Sequence, residues 1–89
     1  MRKIWMGRNS GESEERKLVS CEYHIVVTES EGGLACESYG ICISLPETGE
    51  WVEIFDITVN ADRIYQLGEL LCRNLVTPCT LREVLDDWL

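Results

Sequence analysis

One histidine, five cysteines and sixteen carboxylates are the side chains of this 89-residue chain with reactive chemistry to offer. His24 sits in CEYHIVVT, on the polar side of an alternating run. Without a second histidine it can build neither a metal triad nor a proton relay. A Cys-His pair would need Cys42 or Cys36 to lie across a sheet from it, the arrangement that activates a thiol nucleophile. A solvent-facing strand histidine is the simpler reading. The cysteines at 21, 36, 42, 72 and 79 are odd in number and contain no C-x-x-C pair, unlike most zinc sites. They read as reduced, structural thiols, small hydrophobes in strand-like and helix-like runs. Cys79, between Pro78 and the helix start at Thr80, is the one placed where a thiol pKa could fall. Asp56, Asp62, Asp86 and Asp87 invite an acid-pair or divalent-cation reading. Asp86 and Asp87, however, are adjacent and point about 100° apart on a helix, and Asp56 suits a capping role near a strand-to-helix junction. No phosphate-cradling G-x-x-x-x-G-K-[ST] or G-x-G-x-x-G occurs. The expectation is a protein that is not an enzyme, with no catalytic residue, cofactor or metal site.

Charge is unevenly spread. Residues 1–20 carry five basic and three acidic side chains, net +2; residues 21–89 carry three and thirteen, net −10, giving −8 in all. So acidic a body repels phosphate backbones, which disfavours nucleic acid as a partner. No apolar run approaches the ~18 residues of a membrane span. MRKIWMGRNSGESEERK has no apolar signal core, so the expected location is cytoplasmic.

These residues must be positioned by a small domain. Residues 1–17 show no sustained period and read as a flexible N-terminal segment; residues 18–89 read as one small acidic domain. Alternation predicts strands near 19–28, 36–45 and 50–59. Gly32-Gly33 and Pro46-to-Gly49 provide the turns between them. WVEIFDITV is apolar on both faces, which suits a central or covered strand. A helical period then predicts helices near 61–75 and 80–88. Asn60 would cap the first, Gly68 would mark a close approach to a neighbour, and Thr80 with Glu83 would form a capping box. The fold class is α+β: a three-stranded antiparallel β-meander followed by two α-helices packed on one face, β-β-β-α-α. The core would comprise Tyr23, Ile25, Ile41, Ile43, Ile57, Ile64, Leu67, Leu71, Leu81, Leu85 and Trp88.

YGICI at 39–43, FDITVNAD at 55–62 and TPCTLREVLDDWL at 77–89 resemble an uncharacterised family of small proteins from clostridia and related Firmicutes. The resemblance runs from Tyr23 onward and omits the segment before Leu18. It implies a β-β-β-α-α domain and brings no activity, substrate or site residue.

Two function classes follow. The first is a non-enzymatic interaction module acting through protein–protein contact or self-association as a homodimer. Trp51, Val52 and Ile54 are its candidate interaction surface, because two helices on one side leave part of a doubly apolar strand uncovered. Ile4, Trp5 and Met6 would compete for that patch if the N-terminal segment folded back. The second is an acidic decoy or a ligand- or cation-binding domain engaging a basic partner.

Overall fold

Cys21, Tyr23, Ile25 and Val27 alternate with more polar neighbours, and a pleated strand sends these four to one side. That alternation governs the computed structural model, which describes residues 1–12, 16–29 and 37–88. Four strands, β1 (Arg2–Glu12), β2 (Leu18–Glu29), β3 (Glu37–Leu45) and β4 (Glu50–Thr58), form one antiparallel sheet in sequential order. Two helices, α1 (Ala61–Arg73) and α2 (Leu81–Trp88), follow. The expected Gly32-Gly33 turn and Cys36 lie outside the described residues.

Two expectations are corrected. The sheet has four strands, not three, and the additional one lies within residues 1–17, the segment read as flexible. β1 pairs with β2 from Arg2↔Val27 to Glu12↔Leu18. In addition β4, read as central or covered, is an edge strand.

One face of the sheet is packed. Cys21, Tyr23, Ile25, Val27, Ile41, Ile43 and Leu45 join Ile64, Leu67, Leu71, Val76, Leu81 and Leu85 in a single buried cluster. Of the expected core, Ile57 and Trp88 are only half-buried against that cluster, and Ile4 and Met6 of β1 join its margin. α1 lies across the packed face, touching all four strands. Asn60 caps it as expected, its side chain accepting from the Arg63 amide at 3.1 Å. Gly68 meets Met6: a Cβ there would come within 3.0 Å of the Met6 Cε. The helix ends in a Schellman turn, the Val76 amide donating to the Leu71 carbonyl at 3.0 Å with Leu75 at φ 52°. Tyr23 then ties the inter-helix link to the sheet, its hydroxyl donating to the Val76 carbonyl at 2.8 Å. α2 seats Leu81 and Leu85 in the core, and the Arg63 guanidinium lies 4.4 Å over the Trp88 ring. The Thr80 hydroxyl bonds within the turn to Thr77, in place of the expected reach towards Glu83.

Both edges of the sheet are irregular. β1 shifts register between Trp5 and Gly7, leaving Met6 as the extra residue. β4 bulges between its pairings at Ile54 and Thr58, with Asp56 at φ 55°. Gly40 permits that bulge, since a Cβ on it would run into the Ile54 carbonyl oxygen and the Phe55 Cα.

Candidate functional site

Side chains of opposite parity populate the other face of the sheet, which neither helix covers. Strand pairing arranges them in rows. Trp5, His24, Cys42 and Glu53 form one row across the four strands; Arg8, Glu22, Ser44 and Trp51 form the next. Lys3, beside Val26, stands in the row before them.

His24 and Cys42 are thus direct cross-strand partners, whose Cβ atoms in such a pair stand about 4.5–5.5 Å apart. Of Cys36 and Cys42, the described one, Cys42, faces His24. Cys42 is only 4 % exposed although no helix lies over it. Its cover is electrostatic in origin. Lys3 reaches inward from β1 and Glu53 from β4, meeting at 2.9 Å, with the Lys3 Nζ 4.0 Å from the Cys42 Sγ. The hydrogen bond to Glu53 holds the Lys3 pKa above its ordinary value. Burial pushes the Cys42 thiol up, opposed in part by the Lys3 ammonium. The thiol therefore stays protonated at neutral pH, the weakly nucleophilic form. Trp5 packs edge-on against His24, ring centroids 5.2 Å apart and planes at 78°.

A shallow depression of about 430 Å3 opens beside these groups, walled by Lys3, His24, Cys42, Ser44, Trp51 and Glu53. Trp51 lines it and is 63 % exposed; Trp5, on the same face beyond His24, is 52 % exposed. The face is polar at its centre and aromatic at its margins.

Of the three residues proposed as an interaction surface, only Trp51 belongs to this face. Val52 and Ile54 pair with Ile43 and Ile41 and pack against the buried cluster beneath the helices. Strand alternation separates them from Trp51, so the three do not form one surface. Ile4, Trp5 and Met6 divide likewise: Ile4 and Met6 turn to the core and Trp5 to the open face, at the sheet edge opposite β4.

The remaining candidates are dispersed. Asp56 occupies the left-handed position of the β4 bulge and caps nothing, because Asn60 holds that role. Asp62 lies in the first turn of α1, and Asp86 and Asp87 are exposed on α2. Cys21 is fully buried, its thiol pKa raised by burial. Cys79 is exposed at the mouth of a second depression, also about 430 Å3, between the inter-helix link and the start of β2. Among the described residues no three potential metal ligands cluster, and no helix is long and apolar enough to cross a membrane.

Sequence reading missed Lys3, Trp5 and Glu53 as neighbours. A signal was present: no lysine or arginine occurs between Leu18 and Asn60, whereas Arg2, Lys3 and Arg8 fall within seven residues. A basic segment beside an acidic sheet is a candidate strand for it.

No curated protein and no solved structure matches this chain. A family model covers nearly all of it, including the N-terminal segment that the sequence motifs left out. The chain belongs to this family, a family of unknown function (DUF6514) whose model matches residues 2–89.

Proposed function

We propose that the protein is a non-enzymatic interaction module that binds another polypeptide through the open face of its sheet. The observation that carries this reading is the exposure of Trp5 and Trp51 on one uncovered face. Tryptophan is the residue most enriched at the energetic centres of interfaces, where burying its ring repays the ordering cost. Two half-exposed indoles flanking a polar strip offer such anchors, with Glu22, Arg8 and His24 available for hydrogen bonds between them. The Cys42 thiol, covered and protonated, supports binding in preference to catalysis. The acidic balance of the chain supports a protein partner over nucleic acid or an anionic membrane.

Photo-crosslinking tests this. A benzoylphenylalanine is placed at position 51 on the open face and, separately, at position 65, an exposed position of α1. After irradiation in the native cell, polypeptide adducts are expected at 51 and not at 65. Equal labelling at both positions, or none at 51, would overturn the reading.

A further inference from the structure

We infer that the open face is the interface between two copies of this chain, packed sheet on sheet about a twofold axis parallel to the strands and running between β2 and β3. This rests on the reading of that face as a docking surface and names its occupant.

Three observations lead there. First, the edges are poor places for association. β1 carries a bulge at Met6, and β4 a bulge with Asp56 in a left-handed conformation. Bulges of this kind bend an edge away from a further strand. The face, unlike the edges, has no such protection.

Second, the face is complementary to itself. Lys3 and Glu53 neutralise one another across it at 2.9 Å, which leaves Arg8 on β1 and the exposed Trp51 on β4 as the groups able to reach a partner. β2, β3 and β4 contain no lysine or arginine at all. A twofold axis parallel to the strands turns one sheet over while keeping each row in place. It therefore lays the β1 edge of one copy on the β4 edge of the other. Arg8 of one copy comes over Trp51 of the other, and this contact is made twice. Arg8 is oriented for this, its Nε donating to Ser20 Oγ at 3.1 Å while the side chain as a whole stays exposed. A guanidinium over an indole is the favoured cation–π pairing. Like charges keep acidic chains apart in most orientations, but in this one the face itself is close to neutral.

Third, the area suffices. Strands of nine residues, 4.8 Å apart, give a four-stranded face roughly 30 by 19 Å. Side-chain relief brings this to the order of the ~800 Å2 per partner that specific interfaces bury. Aligned sheets stack about 10 Å apart, which leaves room for both pairs of indoles.

The test is sedimentation equilibrium of the purified full chain from about 1 to 100 μM. A monomer–dimer equilibrium is expected for the wild type. Trp51→Glu and, independently, Arg8→Glu should each weaken it at least ten-fold while leaving the circular dichroism spectrum unchanged. Arg8→Ala combined with Trp51→Ala should weaken the dimer no more than the worse single change, because the two act on one contact. Arg8→Cys with Trp51→Cys, in a Cys79→Ser background, should be joined between copies by a bis-maleimide that spans the roughly 10 Å between stacked sheets. A wild-type monomer at 100 μM overturns the proposal, as does a dimer that survives both glutamate substitutions. If the chain is monomeric yet position 51 still crosslinks to a different polypeptide, the docking reading stands and self-association fails. If neither occurs, both fail.

Discussion

At the scale of single residues, Tyr23 shows how one side chain serves the packing of three elements. Its ring lies in the core and its hydroxyl donates to the Val76 carbonyl of the inter-helix link. Burial raises the Tyr23 pKa well above the ordinary phenol value of 10.0. Cys21 and Cys42 are raised above the ordinary thiol value of 9.0, also by burial. The sign of the linkage is the same for all three. The folded chain keeps protons that the unfolded chain releases, so this stability is complete below pH 9 and falls as pH rises beyond it. Lys3, raised by its bond to Glu53, adds a loss of the same sign above 10.5. Tyr23→Phe is expected to cost about 1–3 kcal/mol at pH 7, because it leaves a buried carbonyl unanswered. It should also flatten the alkaline decline in urea midpoint measured from pH 8 upward. An unchanged midpoint at pH 7 would mean that the hydroxyl contributes nothing. The parity that turns Tyr23 inward is legible in CEYHIVVT; its hydrogen-bond partner, 53 residues away, is not.

At the scale of elements, α2 and β1 differ in how they announce themselves. α2 is eight residues long, too short to persist alone, and its stripe of Leu81, Val84, Leu85 and Trp88 is plain in the sequence. With Leu85 5 % exposed, Leu85→Ala should cost about 2–5 kcal/mol by chemical denaturation. A change under ~0.5 kcal/mol, the surface range, would detach that helix from the core. β1 hides its nature. Ile4 faces the core, then the bulge at Met6 reverses the alternation, and the inward positions beyond it are Gly7, Asn9 and Gly11. Those residues are small or polar because α1 and its C-terminal turn press on them. Gly7 faces the Cys72 Sγ, the Asn9 amide donates to the Cys72 carbonyl at 2.8 Å, and Gly11 faces Leu75. A strand whose inward side reads Gly-Asn-Gly has no apolar period of two to detect.

At the scale of the whole molecule, charge segregation and two apolar side chains together hold β1 to the sheet. The basic residues missing from β2–β4 arrive with β1, where Arg2 meets Glu37 at 3.0 Å and Lys3 meets Glu53 at 2.9 Å. The Arg2–Glu37 pair is exposed and weak, and the Lys3–Glu53 pair is covered only on its Glu53 side, so the apolar contacts of Ile4 and Met6 contribute the larger share. Deleting residues 1–12 is expected to cost about 2–4 kcal/mol, given ~1.5–3 kcal/mol for each fully buried apolar side chain and the half-burial of these two. Part of that loss should return on raising sodium chloride from about 20 mM to 0.5 M, because screening relieves the acidic sheet left behind. Urea melts of both chains at the two salt concentrations measure it. Equal stability with and without β1 would show that the strand is not part of the folding unit. The boundaries of β2, β3, β4, α1 and α2 were legible to within about two residues, since each carries an unbroken period or a cap. Period and capping are local properties, and the sequence by itself determined them. The fourth strand, the edge position of β4 and the cover over Cys42 were decided only by the tertiary structure. Each depends on which segments become neighbours, and that follows from charge, bulges and close approaches summed over residues far apart in the chain.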